Sequence, residues 1–369
     1  MSGKLIVAVL FGGRSGEHEV SLMSARSVLS VLDRDQYEVV QIGISHSGAW
    51  MTGQDVIGAF ENNSTKGLTE VSLLPDPTRP GLLLHTSGEK EEHIKVDVFL
   101  PILHGTFGED GTIQGLFELA DVAYVGANVV SSAVGMDKGI FKSVMIASGI
   151  PVVPSVLVSR HQIETDPQSV IAQVEGMAAY PIFCKPANLG SSVGITKCRS
   201  RADLLEGLLE AAQYDRRVLV EVAVRQPREI EISVLGNEEV EVSVPGEILP
   251  NADFYSYDAK YHSNDSKLII PAKLSEEQAK LITHYAREAF IAIDGCGMAR
   301  VDFLIDSISG QIFLNEVNTI PGFTSISMYP KLWQASGLSY PSLIDRLIAL
   351  AVSRKLERDQ LKRTFRRAE

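Results

Sequence analysis

The sequence predicts a multi-domain protein of the α/β and α+β classes, with an N-terminal unit built on a parallel sheet and two further units after it. Three observations carry this. At 369 residues the chain is too long for one comfortable core and suits two or three domains. Its first third alternates apolar runs with helical periods, and the runs end in glycine turns, the pattern of a parallel sheet with its functional loops at the carboxyl ends of the strands. Near the C-terminus, two strands read as a hairpin that brings charged residues onto one face.

Taken in order, Leu5–Phe11 is an apolar run ending in Gly12-Gly13 and reads as the first strand. Ser21–Leu32 has helical spacing, Tyr37–Ile44 reads as a second strand, and Val96–Leu103 as a later one. Residues 61–93 are polar, dotted with proline and without a clear period, which predicts a loop-rich excursion. With the N-terminal unit set at 1–129, a central unit spans 130–217. In it Met136–Ser148 is helical, Pro151–Val158 extended, and Tyr180–Pro186 a strand that leads into a glycine-serine loop. A third unit, 218–369, opens on a strand ending at Glu221. Its clearest helix is Glu276–Ile293. Ser275 and Gln278 make a capping box, and Leu281, Ile282, Tyr285, Ala286, Ala289 and Phe290 form one apolar stripe. The tail from Arg354 is charged and is expected to fray.

Apolar residues make up 45% and charged residues 22%, an ordinary globular balance. No run approaches the roughly 18 apolar residues of a membrane span. The opening Met1–Gly13 stretch resembles a short signal peptide but lacks a small-residue cleavage site, so a buried strand is the better reading. Cys184, Cys198 and Cys296 have no metal-ligand spacing and read as reduced thiols of a cytoplasmic protein. Lys and Arg total 34 against 46 Asp and Glu, a net charge of −12. That excess disfavours a nucleic-acid surface, which must meet phosphates with many cations.

The hairpin carries the most chemistry. Arg300–Ile305 and Gln311–Asn318 read as strands joined by the turn Asp306–Gly310. Side chains alternate faces, so Arg300 and Asp302 share one face, as do Glu316 and Asn318. Folding about Ser309 sets Asp302 opposite Glu316 and Arg300 opposite Asn318, and a bulge would shift this register. Two carboxylates about 4 Å apart repel by roughly 4 kcal/mol at an effective dielectric of about 20. Two carboxylates and an amide are hard oxygen donors that suit Mg²⁺ shared with phosphates. A lone pair of this kind is more often a solvated face. Here Val301, Phe303 and Val317 bury the opposite face, which favours the metal site.

Lys185 sits at a strand end before Gly190-Ser-Ser-Val-Gly194, a loop whose N–H groups and hydroxyls could cradle phosphate. It is not a Walker loop, because the lysine precedes the glycines. A plain hairpin turn accounts for this loop equally well, and Lys138 taken singly is more often a surface helix lysine.

Together these blocks resemble the ATP-grasp fold and, more narrowly, the D-alanine–D-alanine ligase family. The blocks are Gly12–Ser21, His104–Gly111, Gly135–Lys138, Lys185–Gly194, Phe254–Tyr261, Arg300–Asp302 and Asn315–Thr324. The resemblance implies that ATP phosphates are held by Lys138, Lys185, Ser192 and Lys260. It implies adenine contacts from Glu221 and Val224 and a ribose contact from Glu229. Asp302, Glu316 and Asn318 match ligands for two Mg²⁺ ions, with Mn²⁺ able to substitute. Glu17 matches the anchor of the first D-alanine's ammonium, with His104 near that substrate. Arg300 and the N–H of Gly322 match the oxyanion stabilisers. Ser327, helped by Lys331, matches the contact to the second D-alanine's carboxylate. Ser191 and Tyr261 match partners of Glu17 that close the site. The implied enzyme is cytoplasmic and homodimeric, and needs neither nucleic acid nor membrane.

Three rivals stand beside this reading, and one of them, a non-catalytic nucleotide-binding module, would not require Arg300 and both carboxylates. A ligase of D-alanine with D-lactate would form an ester. A dinucleotide-binding dehydrogenase is suggested by Gly12-Gly13-x-x-Gly16, but the spacing is not G-x-G-x-x-G, and the second strand ends without the ribose-binding acid.

Overall fold

The computed structural model describes residues 3–86, 92–191, 193–249, 267–324 and 326–362. Among them, three sheets organise the chain. The first holds β1 (Leu5–Gly12), β2 (Tyr37–Ile44), β3 (Trp50–Thr52), β4 (Thr69–Leu73), β5 (Leu82–Leu84), β6 (Glu92–Ile94), β7 (Val98–Pro101) and β8 (Ala123–Tyr124). Their order is β6-β5-β4-β3-β2-β1-β7-β8. β1 runs parallel to β2 and β7. Val7, Val9 and Phe11 enter one core while Ala8 and Leu10 enter another, so the strand is apolar at every position because both faces are covered.

The expected excursion over 61–93 is a correction. It contains β4, β5 and β6, paired antiparallel, so the sheet is mixed. These strands are three to five residues long and too short to show a period. The helix His18–Val31 starts ahead of the expected Ser21. The expected helix Met136–Ser148 is two helices, Val129–Met136 and Lys138–Ala147. Asp137 separates them by accepting hydrogen bonds from the N–H groups of Gly139 and Ile140, the capping chemistry that starts a new helix.

The second sheet is antiparallel: β9 (Ser155–Ser159), β10 (Ile182–Pro186), β11 (Thr196–Cys198) and β12 (Arg217–Val222), ordered β11-β10-β12-β9. The border expected between 217 and 218 falls inside β12, whose pairing with β10 and β9 keeps it in this sheet. The third sheet holds β13 (Arg228–Gly236), β14 (Glu241–Val242), β15 (Gly246–Leu249), β16 (Lys267–Ile269), β17 (Gly297–Ile305) and β18 (Ile312–Asn318). Its order is β16-β15-β13-β17-β18, with β14 on β13. The helix Glu276–Ala292 covers it, starts on the expected Ser275–Gln278 capping box and buries Ile282, Ala286, Ala289 and Phe290. Leu281, expected in the stripe, is exposed.

The last helix, Tyr340–Asp359, returns to the first sheet, where Leu343, Ile344, Leu347, Ile348 and Ala351 complete the N-terminal core. The expected fraying from Arg354 is corrected for Arg354–Asp359, which stay helical, while residues 363–369 lie outside the described residues. Arg354 donates to the carbonyls of Gly126 and Tyr124 and lies over the Tyr124 ring. Arg358 pairs with Glu118 and Asp121. Charge in a tail marks a free end only when nothing answers it. Among the described residues, no helix is long and apolar enough to cross a membrane.

Candidate active site

β17 and β18 pair as the sequence predicts, Arg300 with Asn318 and Asp302 with Glu316, and a bulge follows immediately, so that Phe303 meets Leu314. On the other side, β13 sets Glu231 beside Asp302 and Ser233 beside Arg300. Glu231, Asp302 and Glu316 therefore stand in a row across three strands. The Arg300 guanidinium donates to both Asp302 oxygens, at 2.7 and 2.6 Å, and reaches Glu231 at 3.0 Å. Burial alone would push Arg300 down, but Asp302 and Glu231 outweigh it and hold the guanidinium well above its ordinary value. The Asn318 amide donates to Asp302 at 3.0 Å. With Asp302 turned to these two donors, no three His, Cys, Asp or Glu side chains converge as metal ligands among the described residues. The donor chemistry of Asp302, Glu316 and Asn318, two carboxylates and an amide oxygen on adjacent strands, still fits a hard divalent cation.

On the central sheet, β10 and β12 pair Phe183 with Glu221, which leaves Lys185 diagonal to Glu221 on the same face. Lys185 donates to one Glu221 oxygen. Lys142, from the helix Lys138–Ala147, reaches the other at 3.0 Å and donates to the Val153 carbonyl at 2.9 Å. Burial would raise the Glu221 carboxyl, but the two ammonium groups win and hold it at about 2. Burial pushes Lys142 below its ordinary value, and Glu221 pulls it partly back. Lys138 donates to the Leu189 carbonyl, at the start of the glycine-serine loop.

In the N-terminal unit, Glu17 occupies the cap position of His18–Val31 but makes no capping bond. It is buried and accepts a hydrogen bond from the Ser191 hydroxyl. Gly105 and Gly190 border it so closely that a Cβ would lie 2.5 and 3.0 Å from its carboxylate. His104 donates from Nδ1 to the Ile320 carbonyl at 3.0 Å and accepts at Nε2 from the Ser24 hydroxyl at 3.0 Å. A carbonyl only accepts, so this bond sets the tautomer. Burial first of all keeps the ring below its ordinary pKa. Ser24 also accepts from the Phe323 N–H, and Glu109 accepts from the N–H groups of Gly105 and Ile320. Gly322 thus lies in a loop held on both sides by the N-terminal unit.

Residues 6–127 match the family described as D-ala D-ala ligase N-terminus, and residues 144–349 the one described as D-ala D-ala ligase C-terminus. The D-alanine–D-alanine ligase of Heliobacterium modesticaldum is 50% identical over 97% of this chain and 97% of its own length. The chain belongs to the D-alanine–D-alanine ligase family. The D-alanine–D-alanine ligase of Geobacillus kaustophilus is 43% identical over 99% of each chain. Among solved structures, the VanG D-Ala:D-Ser ligase from Enterococcus faecalis superposes with a TM-score of 0.84 at 36% identity, covering 95% of this chain and 100% of that one. The D-alanine–D-alanine ligase from Coxiella burnetii gives 0.81 at 36% identity, covering 97% of each.

The ATP-grasp architecture of this family accounts for the three sheets. Of the expected site residues, the structure brings Glu17 to Ser191, and Arg300 to Asp302 and Asn318. Glu221 and Lys185, expected on adenine and on phosphate, are paired with each other. Val224 lies in the link between β12 and β13, and Glu229 lies half-buried on β13. Ser327 precedes the helix Met328–Ala335, accepts from the Thr324 N–H, and lies against Gly322. Lys331 is half-buried on that helix. Ser192, Lys260 and Tyr261 lie outside the described residues. Sequence reasoning missed Lys142, Glu231, Ser24 and Glu109. Lys142 had a signal, being one helical turn after Lys138, and Glu231 stands two residues after Glu229. Ser24 had none.

Proposed function

We propose that this chain joins two D-alanines into D-alanyl-D-alanine at the expense of ATP, supplying a peptidoglycan precursor. The register that sets Arg300 and Asp302 against Asn318 and Glu316 carries this reading, because it gathers an oxyanion donor and hard oxygen ligands on one sheet face.

A carboxylate oxygen of the first D-alanine attacks the terminal phosphorus of ATP, and ADP leaves with the electron pair. The acyl phosphate so formed is attacked by the amine of the second D-alanine. The carbonyl passes through a tetrahedral oxyanion, the amine gives up a proton, and inorganic phosphate departs. Arg300 and the Gly322 N–H stabilise the negative oxygen, the kind of preorganised donor set that dominates acyl-transfer catalysis. Glu17 orients the first ammonium, with His104 beside it. Ser327 and Lys331 hold the second carboxylate. Lys138, Lys185, Ser192 and Lys260 hold phosphates, and Glu221, Val224 and Glu229 hold the nucleoside. Asp302, Glu316 and Asn318 would hold Mg²⁺, which supplies charge compensation for the phosphates. Water has to be kept out, because it would hydrolyse the acyl phosphate. Tyr261 and Ser191 belong to the segments we assign to that closure.

A second reading changes only the second substrate, since a structural neighbour at 36% identity is a D-Ala:D-Ser ligase. ADP release should require D-alanine and yield the D-Ala–D-Ala amide when D-alanine, D-serine and D-lactate are offered together. Mixed amide or ester as the main product would replace the second substrate, and ADP release without D-alanine would overturn the ligase. We further place the enzyme in the cytoplasm as a homodimer, and light scattering that gives a single-chain mass would remove the dimer.

A further inference from the structure

Glu221 is a carboxylate with two cations, and the two are not equivalent. Lys142 is the more buried, with 5% side-chain exposure against 14% for Lys185. Its ammonium has two acceptors, Glu221 and the Val153 carbonyl at 2.9 Å, and it rises from the middle of a packed helix whose Phe141 and Met145 enter the core of the third sheet. Lys185 stands at the end of β10, where the chain enters the glycine-serine loop. Among the described residues, its hydrogen-bonding partner is Glu221. Lys142 is held by two acceptors, and Lys185 by one, Glu221, among the described residues.

A buried carboxylate that loses its last counter-ion is strongly destabilised. If Lys185 were the sole partner of Glu221, its transfer to a phosphate would strand that charge and oppose nucleotide binding. We propose that Lys142 is the permanent counter-ion of Glu221, and that by holding this carboxylate it releases Lys185 to the phosphates of ATP. Lys142 is then a positioning residue that acts through Glu221 and touches no substrate. This rests on the ligase reading only in taking Lys185 as a phosphate ligand.

A double-mutant cycle read by ADP binding in a calorimeter tests it. Lys142→Met should weaken ADP binding by about tenfold, the scale of one lost charged hydrogen-bonding partner. In steady state the KM for ATP should rise while the KM for D-alanine holds. Lys142→Arg, which keeps the charge, should restore most of the affinity. In a Glu221→Gln background the demand for a fixed cation disappears, so adding Lys142→Met should cost less than about threefold. An equal loss in both backgrounds would reduce Lys142 to a packing residue and overturn the proposal, as would unchanged ADP binding in a folded Lys142→Met. Should Lys142→Met fail to fold alone, Lys142→Gln against the same two backgrounds gives the same comparison. Failure of the wild type itself to bind ADP would overturn the nucleotide site, a different outcome from a wild type that binds and a cycle without coupling.

Discussion

The central and C-terminal sheets each bury a charged cluster, and the two clusters have opposite sign. On the central sheet two lysines, Lys142 and Lys185, share one carboxylate, Glu221. On the C-terminal sheet one arginine, Arg300, stands among three carboxylates, Glu231, Asp302 and Glu316. Buried charge persists only where partners compensate it, and among these named side chains the central cluster holds more cations than carboxylates and the C-terminal one more carboxylates than cations. The positive excess suits phosphate oxygens, and the negative excess suits a divalent cation. On the proposed reading, ATP with Mg²⁺ would answer both at once. Two sheets with the same antiparallel construction are thus distinguished by the sign of the charge gathered on each.

The largest test of this comparison is Glu316→Gln, which removes one negative charge at constant shape. ADP release should fall to near background while cooperative melting persists, and wild-type turnover at limiting Mg²⁺ would exclude Glu316 as a ligand. Arg300→Met comes next. Loss of one such donor costs about 2.7–4 kcal/mol of barrier, and ATP affinity should change far less. Parallel loss of both would make Arg300 a phosphate clamp and blur the distinction between the clusters.

A third test concerns acid. Glu221 is held at about 2 against an ordinary 4.5, so its ion pairs contribute stability above 4.5 that disappears as pH falls toward 2. At roughly 1.4 kcal/mol per pH unit this amounts to about 3 kcal/mol. Glu221→Gln should be less stable than wild type at neutral pH, and the gap in denaturation midpoint should narrow from pH 4.5 downward. A constant gap would mean that the carboxylate charge contributes nothing.

A fourth test concerns the seam where the N-terminal unit holds the Gly322 loop. Burial, and then the Glu17 carboxylate, push Glu109 up to about 8 from 4.5. The stability of its neutral form is fully present below 4.5 and is lost progressively as pH rises from there through about 8. Wild type should therefore lose melting temperature relative to Glu109→Gln as pH rises from about 4.5 to about 8 and level off above that, and parallel curves would show that Glu109 does not titrate there.

What was legible in the sequence was local. The hairpin register of Arg300 and Asp302 against Asn318 and Glu316 follows from the period of two and a short turn, both read without knowing what lies beyond. β1, β2 and the capped helix Glu276–Ala292 were legible for the same reason. The short strands β4 to β6 were not, because strands of three to five residues leave no period to read. The tail around Arg354 was misread because its partners, Tyr124, Gly126 and Glu118, lie more than two hundred residues earlier.

By itself the sequence determined the order of the motif blocks, their residue types and the pairing across the β17–β18 turn, since each depends on neighbours along the chain. Only the tertiary structure decided that Glu231 joins the acidic row, that Lys142 meets Glu221, and that Ser24, His104 and Glu109 hold the loop of Gly322. Each of those contacts joins elements far apart in sequence, and their geometry comes from how buried faces pack, which no local pattern encodes.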